Sequence, residues 1–228
     1  AAEVVLRNEE LMAVLTPQHG GRLVYLFGRT KEGGSLLVGN PSDDWNLQEE
    51  LNRFMDEPAN HPGALADVGH AHDRYEIEIA EGGQLIDMRN VEEGSPMYGA
   101  RKRIRFIPGE QAMVACYRVP ETSLPLAVES CLSPDYYGLL REGRAGVSET
   151  TGASWRGWRL GDACAWVGRA DGESVEWEEA RAFAVGHGMS ALLRSAQAHF
   201  HVFIGAGRPT APRCEKLMRR GIALVDGP

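Results

Sequence analysis

The stretch Leu11-Met12-Ala13-Val14-Leu15-Thr16-Pro17-Gln18-His19-Gly20-Gly21-Arg22-Leu23-Val24-Tyr25-Leu26-Phe27 reads as one β-hairpin. Two short apolar runs flank a turn built on Pro17 and Gly20-Gly21, and runs of this length between turn residues are strands, not helices. Neither run alternates. Leu11–Leu15 and Leu23–Phe27 are apolar at successive positions, so both faces of each strand are expected to be covered.

The same short-segment pattern continues outward from the hairpin. Val4–Leu6, Leu36–Val38, Tyr75–Ile79, Leu85–Met88, Ile104–Ile107 and Met113–Val119 read as strands. Leu126–Cys131, Ala163–Val167, Val175–Trp177 and His199–Ile204 follow. Turn signals separate them at Gly33-Gly34, Gly82-Gly83, Pro108-Gly109 and Asp171-Gly172. The expected fold is all-β: a large two-layer antiparallel sandwich, with further elements packed over one sheet.

Three short helices interrupt the series. Residues 43–55 carry Leu47, Leu51, Phe54 and Met55 on one stripe, behind Ser42 as N-cap. Residues 134–142 follow Ser133, open on Pro134 and stop at Gly143. Residues 211–220 place Cys214, Leu217 and Met218 together, with Gly221 as the expected end. No internal repeat or linker is visible, so residues 1–228 are expected to form one domain.

Composition excludes several classes. The 228 residues are 43% hydrophobic and 25% charged, ample for a core and too apolar for disorder. No run approaches the roughly 20 apolar residues of a membrane helix. A net charge of −8 argues against a nucleic-acid partner. The one dense basic run, Arg101-Lys102-Arg103 with Arg105, is short. The chain starts Ala1-Ala2-Glu3, so a piece of a longer protein is expected. Cys116, Cys131, Cys164 and Cys214 are widely spaced without a C-x-x-C pair. They read as structural thiols in a reducing, cytoplasmic compartment.

The segment richest in ionisable groups runs from Asp56 to Glu78. If its second half is one strand, His70, His72, Arg74, Glu76 and Glu78 share a face opposite Tyr75, Ile77 and Ile79. Such a row makes either a solvated outer face with cross-strand ion pairs or one wall of a polar cleft. The spacing His70-x-His72-x-x-x-Glu76 echoes a metal motif of the cupins. On a straight strand, however, Glu76 lies roughly 13 Å beyond His72. No metal and no cofactor are therefore expected. His199-Phe200-His201 is a second His-x-His, sharing a face with Gln197 and Phe203 and read first as partly buried histidines. The elbow G-x-S-x-G, the fingerprint G-x-G-x-x-G and the P-loop are all missing, which leaves nucleophilic hydrolysis and nucleotide cofactors unsupported.

The tryptophans offer a sugar-binding chemistry. Trp155-Arg156-Gly157-Trp158 lies in a Gly-rich stretch (143–161) without a strand pattern, and Trp45 opens a helix beside a loop. An indole face stacks on the apolar side of a pyranose while Asp, Arg and His take its hydroxyls. The alternative is that each indole plugs the core.

From Asn8 to Leu26 the chain resembles the start of the galactose-mutarotase-like supersandwich. It is especially similar to the C-terminal β-domain of glycoside hydrolase family 57, the amylase and glucanotransferase group. That resemblance implies a supersandwich attached to a catalytic domain of the same parent chain, which holds the catalytic carboxylates. The module would recognise an oligo- or polysaccharide such as an α-glucan, or serve a structural role. Its expected carbohydrate-facing residues are Trp45, Asp67, His70, His72, Arg74 and Trp158. The other member type that the resemblance implies is a free-standing aldose 1-epimerase, with His70 or His72 as acid and Glu129 as base.

Overall fold

The computed structural model describes residues 3–30, 33–38, 63–135, 138, 139, 141, 143–170 and 189–226. The hairpin is present as β2 (Leu11–Thr16) and β3 (Arg22–Thr30). With β1 (Val4–Arg7) and β4 (Gly33–Val38) they form an antiparallel sheet in chain order. Gly20 and Gly21 make the turn at φ 76° and 55°. A Cβ on Gly20 would lie 3.1 Å from the Ala71 backbone, and one on Gly21 3.2 Å from the Tyr75 ring. Glycine is needed at both for conformation and for space.

A second sheet joins β5 (Ala66–Asp67), β10 (Leu126–Leu132) and β14 (Met189–Ser195) in the order β14-β10-β5. It is tied to the first by a bridge between Leu23 and Ala64 and by Ser133, which bonds to the Leu36 and Leu37 carbonyls of β4. The two together face a third sheet made of eight strands.

That sheet contains β6 (Tyr75–Ala80), β7 (Leu85–Asn90), β8 (Arg101–Phe106) and β9 (Ala112–Arg118). It is completed by β11 (Ser148–Thr151), β12 (Trp155–Leu160), β13 (Ala163–Arg169) and β15 (His199–Ala206). Their order is β11-β12-β13-β15-β9-β8-β7-β6, antiparallel throughout. The all-β sandwich expected from the sequence is observed.

Strand alternation divides the apolar residues between two cores. Met113, Ala115 and Tyr117 of β9 face the other sheets, with Leu11, Leu26, Ile104 and Phe200 in the main core. Ala112, Val114 and Cys116 face the opposite way, where α1 (Ala211–Asp226) lies on the sheet through Cys214, Leu217, Met218 and Val225. The covering element thus sits over the eight-stranded sheet. The second face of β2 and β3, expected to be covered, is half-buried at Met12, Val14, Tyr25 and Phe27.

Four expectations change. Residues 143–161 are not strandless, because Ser148–Thr151 and Trp155–Leu160 pair as β11 and β12. Arg156 beside Gly157 hid the alternation, although Trp158 and Leu160 point into the main core and Trp155 towards α1. The short β5 and the whole of β14 were not foreseen. Gly221 does not end the last helix. It is a buried contact point inside α1, where a Cβ would come 2.5 Å from the Phe203 ring. The run from His70 is not one strand either: β6 begins only at Tyr75, and turns hold His70 and His72. The helix expected at 134–142 shows in the helical bonds from Leu139 N–H to Asp135 O and from Gly143 N–H to Leu139 O. The helix at 43–55 and the strand at Val175–Trp177 lie outside the described residues.

Candidate functional site

The chain around Asp67 is placed by backbone pairing. Leu23 and Ala64 exchange N–H···O bonds of 2.8 and 2.7 Å, and the Cys131 N–H donates to the Gly63 carbonyl at 2.7 Å. Asp67 sits opposite Val128, and Ala66 opposite Glu129. Between these anchors Leu65 adopts φ 56°, a conformation costly for a bulky residue. Its carbonyl then receives the Lys102 ammonium at 3.1 Å and the Tyr117 hydroxyl at 3.3 Å.

Lys102 is the centre of this node. Neither it nor Asp67 exposes any side-chain surface, and Lys102 Nζ lies 2.7 Å from Asp67 Oδ2. The ammonium also donates to the Gly20 carbonyl at 2.7 Å, so its three protons meet three acceptors. Tyr75 donates to Asp67 Oδ2 at 2.8 Å, and the rings of Tyr75 and Tyr117 lie 5.0 and 5.3 Å from Nζ. Desolvation pushes the Asp67 carboxyl up and the Lys102 ammonium down, and the charge of each partner offsets this. Burial also holds the Tyr75 and Tyr117 hydroxyls protonated, so each keeps a proton to donate, Tyr75 to Asp67 and Tyr117 to the Leu65 carbonyl.

Above the node, the turn from Val68 to Arg74 reaches the surface. The His70 N–H donates to the Asp67 carbonyl at 3.0 Å, and the Gly20 N–H to that of Asp73 at 2.8 Å. The Asp73 carboxylate accepts from Asn90 Nδ2 at 2.8 Å and from the Ser95 hydroxyl, with His70 Nδ1 3.6 Å away. His70 is half-buried, whereas His72 and Arg74 are exposed, and Arg74 pairs with Glu92 at 2.9 Å. The exposed rim of the turn therefore offers imidazole and guanidinium groups, with the Asp73 carboxylate buried beneath them and engaged by Asn90 and Ser95.

His19 belongs to the same rim. Partial desolvation, then the positive charges of Arg22 and His72, hold its pKa below the usual 6.5. Its imidazole resonances should accordingly titrate below 6.5, and His72→Ala should move the midpoint upward. A lowered folded value also means that the unfolded chain gains this proton first. His19 then withdraws stability as pH falls from 6.5 through its folded pKa. An NMR titration with a midpoint at or above 6.5 would contradict this electrostatic account.

The expected site residues divide among several places. Asp67, His70, His72 and Arg74 are contiguous, with Asp67 in the interior beneath the turn. Glu76 and Glu78 lie on the exposed face of β6, opposite Arg89 and Asp87 in the register. There Arg101 pairs with Asp87 at 2.6 Å, so this part of the charged row is a solvated outer face. Trp158 is 3% exposed, within the main core and 5.9 Å from the Arg156 guanidinium, which leaves its ring no open face. Glu129 is buried and accepts the Ser190 hydroxyl, while His70 is engaged by Asp73 and Ser95. Trp45 lies outside the described residues.

Two things were missed in the sequence. Lys102 read as part of a basic run, yet in Arg101-Lys102-Arg103-Ile104-Arg105-Phe106 it shares its face with Ile104 and Phe106, which enter the core. The second was the company kept by His199 and His201. Among the described residues, these histidines converge with Cys116 and Asp226, their donor atoms all within 4.8 Å of one another.

No protein-family model matches this chain, and no curated protein matches it in sequence. Solved structures do match in fold. A heparan sulfate lyase, HepC from Pedobacter heparinus, aligns over 92% of this chain and 36% of its own, at 12% identity and TM-score 0.58. A 4-alpha-glucanotransferase from Thermococcus litoralis aligns over 91% of this chain and 39% of its own, at 13% identity and TM-score 0.52. The chain shares its β-rich fold with parts of carbohydrate-active enzymes. It spans well under half the length of either. YidC from Thermotoga maritima aligns over 100% of this chain and 59% of its own, at 8% identity and TM-score 0.45. No helix among the described residues is long and apolar enough to cross a membrane.

Proposed function

We propose that this chain is the accessory β-module of a glycoside-active enzyme, holding an oligo- or polysaccharide of the α-glucan type or shaping the rim of a catalytic domain in the same parent chain. One observation carries the reading: two carbohydrate-active enzymes align with nearly all of this chain while it spans only 36% and 39% of theirs. The sugar-facing surface in this reading is the turn bearing His70, His72 and Arg74. It rests on Asp67 and Lys102, which fix its height over the sheet. Trp158, buried in the main core, takes no part in the proposed surface.

Affinity electrophoresis through gels containing soluble α-glucan tests the proposal. Retarded migration is expected, with retention about tenfold weaker in His72→Ala or Arg74→Ala, the effect of losing one hydrogen bond to the sugar. Migration that ignores the glucan, or that both substitutions leave unchanged, would remove this surface from consideration. Polarimetry of freshly dissolved glucose separates the epimerase reading. Mutarotation accelerated by the protein and abolished by His72→Ala would replace the accessory role with His/Glu acid–base catalysis.

A further inference from the structure

We infer that Cys116, His199, His201 and Asp226 form a four-ligand site for zinc or a similar divalent transition metal, which clamps the end of α1 to the eight-stranded sheet. This inference is independent of any sugar binding.

Three elements build the site. In the pairing of β15 with β9, His201 lies directly opposite Cys116, and His199 follows two residues along on the same face. The alternation that sends Phe200 and Val202 into the main core turns both imidazoles towards α1. Asp226, the last residue of α1, closes the arrangement. The Val225 carbonyl accepts from Arg103 at 2.6 Å and the Leu224 carbonyl from Arg105 at 3.1 Å, which fixes the helix end over the sheet.

Three of the donor atoms make a triangle of tetrahedral size, with His201 held on the second carboxylate oxygen and the ligand atoms of all four residues within 4.8 Å of one another. Cys116 Sγ lies 3.3 Å from His199 Nε2 and 3.4 Å from Asp226 Oδ1. His199 Nε2 lies 3.2 Å from Asp226 Oδ1, and His201 Nε2 2.9 Å from Oδ2. Zinc bonds of about 2.0 Å to nitrogen or oxygen and about 2.3 Å to sulfur give tetrahedral edges of about 3.3 and 3.5 Å. One thiolate, two imidazoles and one carboxylate also form a zinc-type donor set, unsuited to calcium or magnesium.

The electrostatics favour a cation as well. Asp226 adds its charge to the negative end of the helix dipole. Arg118, 3.9 Å from Asp226, and Arg103 are the opposing positive groups. On binding, the Cys116 S–H bond breaks, sulfur bonds to the metal, and the proton leaves to solvent. Four protein ligands leave no open position, which marks a structural site.

The test uses the whole chain without an affinity tag, stripped with a chelator and reloaded with zinc. One equivalent should remain in the presence of a competing chromophoric chelator, with release of the thiol proton. Cobalt(II) in its place should give tetrahedral d–d bands and a sulfur-to-metal charge-transfer band. Cys116→Ser should lose the charge-transfer band and weaken zinc binding by about 100-fold or more, and His199→Ala should weaken binding similarly while keeping that band. His199 is 47% exposed, so its substitution leaves the fold intact. Cys131→Ser should change nothing. A parent protein that yields its zinc to the chelator, or one that binds as tightly after Cys116→Ser and His199→Ala, would overturn the assignment. The four groups would then be a hydrogen-bonded cluster in which the thiol and the imidazoles donate to Asp226.

Discussion

Lys102→Met is expected to lower the free energy of unfolding by about 3–5 kcal/mol, read from urea denaturation, because it leaves the Asp67 carboxyl buried without its counter-ion. The substitution keeps the length of the side chain and removes only the ammonium. It also strips the Gly20 carbonyl of a donor, and leaves that of Leu65 with Tyr117 alone. Lys102→Arg should not rescue the protein, because three acceptors converge on one point and a planar fork cannot meet them all. Combining Lys102→Met with Asp67→Leu should recover much of the loss, since the pair then leaves the core together. Single effects that simply add, within about 0.5 kcal/mol, would show that the two residues do not stabilise one another.

Gly63→Ala should be nearly as damaging for a reason unconnected with charge. Gly63 has φ +64°, and a Cβ there would sit 2.1 Å from the Leu23 carbonyl oxygen. That oxygen accepts the Ala64 N–H that joins the first two sheets. The strand must move or the bond must break, at a cost of about 3 kcal/mol or more once the strained conformation is included. A fall in Tm on the order of 10 °C is expected in calorimetry. Gly69→Ala is the internal control. Its φ of +85° has the same sign, but nothing lies within 4 Å, so only the conformational cost of about 1 kcal/mol applies. Equal losses in the two variants would refute the steric account.

The elements legible in the sequence are those whose apolar run is unbroken, whether one core covers it or two, as at β9. Leu11–Phe27 could be read because consecutive apolar residues leave a strand no exposed face, and Gly20-Gly21 announces the turn. Trp155–Leu160 could not, because Arg156, Gly157 and Arg159 break its apolar run. There Gly157 makes room for Pro209, whose Cγ lies 2.5 Å from where a Cβ would be. Lys102 was hidden by its neighbours. Three arginines on the other face of β8 make a basic run of what is, on the inner face, a single buried cation. Asp67, His70, His72 and Arg74 could be named from their density in one segment. Their depth could not, since it depends on two successive turns before Tyr75, of which Gly69 marks only the first. The Cys116 and Asp226 contributions to the proposed metal site lie in chain segments far from each other and from the His-x-His pair. Only the order of strands, with β15 beside β9, brings them together.

The two outer strands of the eight-stranded sheet have a bearing on solubility. Among the described residues, β6 and β11 each pair on one side only, so each leaves a row of backbone donors and acceptors that another chain could extend. β6 carries Glu76 and Glu78 at that margin, and β11 is a four-residue Ser-Glu-Thr-Thr, exposed at each position. An incoming strand would have to bring its own side chains against carboxylates, or find too short a template to hold. The glutamates that read as one wall of a cleft thus serve as guards, keeping a sheet of this width from growing into its neighbours.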